Sequence, residues 1–147
     1  NSMNNLVSLL EAQDYFSIPF RVRKSNHLFV HGKLNNTKGL FLIDTGASNT
    51  CIDLNQQEYF KLLSKAHYAK ASGAGSNDLH AEISKSNTLQ LGKWKTTPID
   101  LVLLDLSHVN IALSAYNLPE VHGIIGSDLL KKHHAIIHYA AQLLFIR

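Results

Sequence analysis

Apolar positions fall mostly in short runs rather than along helical stripes, so the chain reads as mainly β. The start is an exception. Leu6, Leu9 and Leu10 follow Asn4 and Asn5 and predict a short amphipathic helix ending near Gln13. Residues 15–23 alternate and hold Pro19, which has no amide to give a ladder; they predict an edge strand. Residues 27–34 predict a second strand, and residues 35–39 (NNTKG) a turn tolerant of positive φ. Leu40, Phe41, Leu42 and Ile43 are apolar without a break, the pattern of a strand buried on both faces. Strand character resumes at 50–53, and residues 54–65 set Tyr59, Phe60, Leu62 and Leu63 in a helical pattern. Residues 68–71 and 79–84 flank Ser72-Gly73-Ala74-Gly75-Ser76-Asn77-Asp78 and read as a hairpin with a mobile tip.

Residues 88–91 and 97–104 read as a pair of strands around a Gly92-Lys93 turn, and residues 107–116 as a short helix capped by Ser107. Residues 121–126 predict a short buried strand broken by glycines. A helix from Ser127 or Asp128 through Lys132 and strands at 135–139 and 142–146 complete the chain. An apolar strand thus runs into a glycine corner twice, at 40–46 and at 124–126, which predicts two similar half-domains in one β-rich chain.

The first corner carries the chemistry. Asp44 ends an apolar strand and is followed by Thr45, Gly46, Ala47 and Ser48. A buried, ionised aspartate needs hydrogen-bond donors or a partner. Thr45 brings a hydroxyl, and Gly46 frees the backbone to bring amides near. The triplet Asp-Thr-Gly alone is equally a plain turn capped by its aspartate. FLIDTGAS at 41–48, followed eighty-odd residues later by GIIGSDLL at 123–130, resembles the retropepsin family, the retroviral-type aspartic peptidases. The resemblance covers residue 18 to the end.

The resemblance implies a retropepsin-like acid-protease half-barrel, mainly β with short helices, active as a twofold homodimer on a peptide or protein substrate. It implies that Asp44 is the catalytic carboxylate, with Thr45 locking the two active-site corners and Gly46 admitting the close backbone. Ala47, Ser48, Ser72, Gly73, Ala74, Gly75 and Ile125 would bind substrate, with Gly73 and Gly75 in a flap. The flap departs from the pepsin-like pattern in having no tyrosine. A two-lobed pepsin-like chain carries two Asp-Thr/Ser-Gly copies, whereas this one has a single copy. Asp128 is the one tempting second carboxylate, and its place at a helix start is explained by capping. The second aspartate should then be Asp44 of another subunit. The alternative within the same fold is a catalytically weak dimer that binds peptides or proteins.

Composition narrows the picture further. With 147 residues the chain is long enough to bury a core, and residues 15–147 read as one domain behind a short segment, 1–14, of tag remnant and helix. One cysteine, Cys51, permits no internal disulfide, which leans towards a reducing compartment and a cytoplasmic location. No apolar run is long enough to span a bilayer, so no membrane partner is expected. The net charge of +3 comes from basic residues spread along the sequence (Lys24, Lys33, Lys38, Lys61, Lys65, Lys93, Lys95), which gives no nucleic-acid footprint. His133, His134 and His138 lack nearby cysteines and acids to complete a zinc set, so neither metal nor cofactor is expected. Cys51 has no feature of a nucleophile, and Trp94 reads as local packing.

Overall fold

The computed structural model describes residues 2–70 and 78–147. The N-terminal segment forms helix α1 (Ser2–Glu11), which buries Leu10 and meets the first strand. That strand, β1 (Phe16–Pro19), lies at the edge of a three-stranded antiparallel sheet. Its neighbour is β13 (Leu143–Ile146), flanked on the other side by β12 (Ile136–His138). Pro19 thus sits on an edge strand, where its missing amide does least harm.

A larger curled sheet forms the rest of the half-barrel. Its strands are β2 (Arg21–Val22), β3 (Leu28–Leu34), β4 (Thr37–Ile43), β5 (Cys51–Asp53), β6 (Lys65–Lys70), β7 (Asp78–Asn87), β8 (Leu89–Leu91), β9 (Trp94–Lys95), β10 (Ile99–Leu104) and β11 (Gly123–Ile125). They lie in the order β6-β7-β10-β5-β11-β4-β3-β8-β9, with β2 also paired to β3. The β3–β4 turn is tighter than the sequence suggests. Only Asn35 and Asn36 form it, both at positive φ (49° and 71°), the geometry a two-residue hairpin demands.

β4 separates two apolar clusters, as its unbroken apolar run predicts. Phe41 and Ile43 face the main core with Leu34, Phe60, Leu91 and Ile125, while Leu42 faces a second cluster with Phe29, Cys51 and Leu113. Helix α2 (Ser107–Ser114) contributes Leu113 to that second cluster. No helix among the described residues is long and apolar enough to cross a membrane.

Three sequence expectations need correction. Residues 54–65 do not form a helix: a single 3-10 turn, Leu54–Gln56, is followed by irregular turns in which Lys61 takes φ 56°. Phe60 enters the core while Leu63 stays 88% exposed, so tertiary burial of single residues overrides the helical stripe. Around Gly92-Lys93, β8 pairs with the two-residue β9, and β10 leaves to lie between β7 and β5. Ser107 is not the cap of α2; its hydroxyl and amide both donate to Asp105. β6 and β7 pair as the predicted hairpin from Lys65↔Ile83 to Lys70↔Asp78. Its tip, with Ser72, Gly73, Ala74 and Gly75, lies outside the described residues.

Candidate active site

The topology brings the two glycine corners together. β11 slots between β4 and β5, parallel to the first (Gly123↔Phe41, Ile125↔Ile43) and antiparallel to the second (Gly123↔Ile52). Gly123 is needed there, because a Cβ would stand 2.7 Å from the Cys51 carbonyl oxygen. At the C-terminal ends of β4 and β11 the ladder continues into the corners. The Asp44 amide donates to the Ile125 carbonyl (2.9 Å), and the Ser127 amide donates to the Ala47 carbonyl (2.7 Å).

Asp44 itself is exposed, as are Thr45, Gly46 and Ser48, while Ala47 is partly buried against the second cluster. Asp44 Oδ1 accepts the Gly46 amide at 2.9 Å, the role the sequence gives that glycine. The Thr45 hydroxyl does not bond to the carboxylate, and Thr45 instead borders a shallow groove with Ser127, Leu130, His134, Ala135 and Ile137. Ile125 does not fit its predicted place in substrate binding. It is 0% exposed with its side chain in the main core, so its contribution is the carbonyl that fixes Asp44.

Two residues give the corner its rigidity, and one of them, Thr50, carries no signal in the sequence. Asp128 does not cap α3 (Ser127–Lys132). Its carboxylate reaches across to Thr50, accepting the amide at 2.9 and 3.1 Å and the hydroxyl at 2.8 Å. The Thr50 hydroxyl in turn accepts the Gly126 amide at 3.0 Å. Gly126 is packed against the other corner, where an added Cβ would meet Ala47 O at 2.7 Å and Asn49 O at 2.9 Å.

On the far side of β11, His122 ties the strands together. Its ring Nδ1 accepts the Leu40 amide (3.0 Å), its amide donates to the Leu40 carbonyl (2.8 Å), and its carbonyl accepts the Asp53 amide (2.8 Å). Partial burial holds the ring below its ordinary pKa, against smaller opposing effects of Asp53 and Glu120. Tyr59 stacks on the ring, with centroids 5.3 Å apart. The buried Asp53 carboxylate is committed to the amides of Asn55 and Leu106. Cys51 is buried, its thiol pushed up to about 11 first of all by that burial.

The C-terminal histidines go separate ways. His133 packs edge-to-face on the buried Trp94, and His138 accepts the Ala141 amide. Among the described residues no three potential metal-binding side chains come together.

Several solved structures resemble this one over most of its length. The retropepsin-like aspartic protease from Rickettsia conorii aligns with a TM-score of 0.58 at 17% identity, covering 90% of this chain and 89% of that one. The retroviral protease-like domain of Ddi1 from Leishmania major gives 0.54 at 18% identity, over 82% and 87%. EIAV protease, in complex with the inhibitor HBY-793, gives 0.53 at 15% identity, over 76% and 92%. At such identities the likeness shows the fold, which is retropepsin-like. Among curated proteins no significant match is found. The sequence model of the aspartyl protease family matches residues 30–129, more than half of the chain and both glycine corners. On that match, this chain belongs to the aspartyl protease family.

Proposed function

We infer that the chain is an aspartic endopeptidase that works as a twofold homodimer, its nucleophilic water held between the Asp44 carboxylates of two subunits. The observation that carries this reading is the state of the carboxylates around the corner. Asp44 is exposed and accepts one amide, whereas Asp128 is taken up by Thr50 and Asp53 is buried under amides. Among the described residues around this corner, one chain therefore offers one uncommitted carboxylate, and the chemistry needs two.

Two carboxylates about 3 Å apart cannot both ionise, so they share a proton. The ionised Asp44 takes a proton from the water as its oxygen bonds to the scissile carbonyl carbon. The protonated Asp44 hydrogen-bonds the carbonyl oxygen and gives it a proton as charge develops there. Collapse of the tetrahedral intermediate breaks the C–N bond, and the leaving nitrogen takes up a proton from the dyad. Gly46 holds each carboxylate by its amide, and Thr45 locks one corner to the other across the twofold axis. Ala47 and Ser48, with Ser72, Gly73, Ala74 and Gly75 of the flap, would contact substrate.

β12 supports a second subunit at this place. It is one of the two edges of its sheet, Ile136 is 39% exposed on it, and the groove beside Thr45 runs to its neighbour Ile137. A strand with one edge left unpaired and an exposed apolar side chain is a template for its own twofold copy.

The test is a peptide-library digest at pH 4 to 7 with the wild type and Asp44→Asn. Cleavage by the first alone is expected. Cleavage by both would remove Asp44 from the mechanism. Cleavage by neither, with the dimer intact, would turn the reading towards a peptide-binding module.

A further inference from the structure

The lysines that are spread along the sequence are gathered by strand register. Lys33 lies opposite Lys38 across β3 and β4. It lies opposite Gln90 across β3 and β8, and Gln90 lies opposite Lys95 across β8 and β9. Directly opposed residues share a face, and adjacent strands are about 4.8 Å apart, so Lys38, Lys33, Gln90 and Lys95 form a rung about 15 Å long. His31 precedes Lys33 by two residues and shares that face. His31, Lys38 and Lys95 are exposed; Lys33 and Gln90 are partly buried.

Two observations separate this rung from an ordinary solvated surface. Like charges directly opposite one another destabilise a sheet, and among the described residues no carboxylate pairs with Lys33, Lys38 or Lys95. Part of the surface is also concave: His31, Lys33, Lys38 and Gln90 line one open cleft of about 540 Å³ with three glycines, Ile18 and Pro19, and Lys95 continues the rung outside it. Two unpaired lysines in a cleft and a third further along the same rung are complementary to an anionic chain rather than to a single ion. An extended peptide sets alternate side chains about 6.8 Å apart on one side, so several carboxylates of one acidic segment reach the rung together. A nucleic acid fits less well. Among the described residues the rung itself carries no Phe, Tyr or Trp on which bases could stack in series, and Tyr59, which bonds the Lys38 carbonyl, is already stacked on His122.

We propose that Lys33, Lys38 and Lys95, with His31, form a docking site for an acidic, extended peptide segment. Lys38 precedes Asp44 by six residues of strand and corner, about 20 Å, so the segment binds outside the catalytic corner. In a working peptidase the site recruits substrates whose acidic stretch lies apart from the bond to be cut. That use rests on the peptidase reading, but the binding does not.

The experiment measures fluorescence anisotropy of a labelled, glutamate-rich dodecapeptide with the full chain carrying Asp44→Asn, so that cleavage plays no part. Saturable binding is expected, weakened about tenfold when Lys33→Gln, Lys38→Gln and Lys95→Gln are combined on that background. A second triple variant, Lys24→Gln, Lys61→Gln and Lys85→Gln, removes the same charge from exposed positions elsewhere and is expected to keep the affinity. Circular dichroism melting verifies that both triple variants fold. No binding of the acidic peptide, equal loss in the two triple variants, or tighter binding of a single-stranded oligonucleotide of equal charge would overturn the proposal.

Discussion

Thr50 holds the Asp44 corner with one hydroxyl and one amide. The hydroxyl donates to Asp128 and accepts from Gly126, and the amide donates to Asp128. Removing the carboxylate strands a buried donor, so Asp128→Ala is expected to cost about 2 kcal/mol in urea unfolding. Asp128→Asn keeps an acceptor and should cost clearly less; equal losses would mean that the amide and hydroxyl contacts do not carry the effect. Gly126 adopts ordinary extended backbone (φ −97°, ψ −179°), so its requirement for glycine is one of space. A Cβ there presses on the backbone of residues 47 and 49, and Gly126→Ala should destabilise by about 1–3 kcal/mol. Unchanged stability in the same unfolding experiment would show that the two corners can part freely. The Cys51 thiol, buried and raised to about 11, should resist alkylation in the native state and react at once in denaturant. The Asp-Thr-Gly-Ala run made Asp44 and Gly46 legible in the sequence. Thr50 was hidden because its partner lies 78 residues away and only the meeting of the two corners reveals it.

β11 is the element on which the corner depends, since it joins β4 to β5 and carries His122 at its entry. Protonating His122 takes the Nδ1 lone pair that accepts the Leu40 amide. Burial holds this ring below its ordinary pKa, so the folded chain binds fewer protons there than the unfolded one. Its stabilising contribution is complete above about pH 6.5 and is lost as the pH falls below that value. Melting temperatures of the wild type should therefore drop between pH 7 and 5 more steeply than those of His122→Gln; parallel slopes would assign the acid sensitivity to other groups. The unbroken apolar run of β4 and the GIIG segment of β11 were readable as buried strands, because burial on both faces leaves a composition signal. The β8–β9 pairing was not, because a two-residue strand carries too few positions for a period. Residues 54–65 misled for the converse reason. Tyr59, Phe60, Leu62 and Leu63 fall at helical spacing by chance, yet Phe60 and Leu62 are buried while Leu63 points to solvent. The basic rung was equally invisible, since pairing register is a property of the sheet and not of any one strand.

On the proposed reading, this chain supplies half of a catalytic site. It has one Asp-Thr-Gly corner, an exposed Asp44, an edge strand β12 beside that corner, and, among the described residues, no second carboxylate left uncommitted at the junction of the two corners. A dyad sharing one proton predicts hydrolysis that rises and falls between mildly acidic and neutral pH; a flat profile up to pH 9 would contradict it. The most direct measurement mixes wild-type chains with an equal amount of Asp44→Asn under conditions of subunit exchange and follows peptide hydrolysis. If the site needs Asp44 from both subunits, mixed dimers are inactive and activity per wild-type chain falls to about half. If activity per wild-type chain stays unchanged, each chain hydrolyses with its own carboxylate, and the shared dyad is wrong.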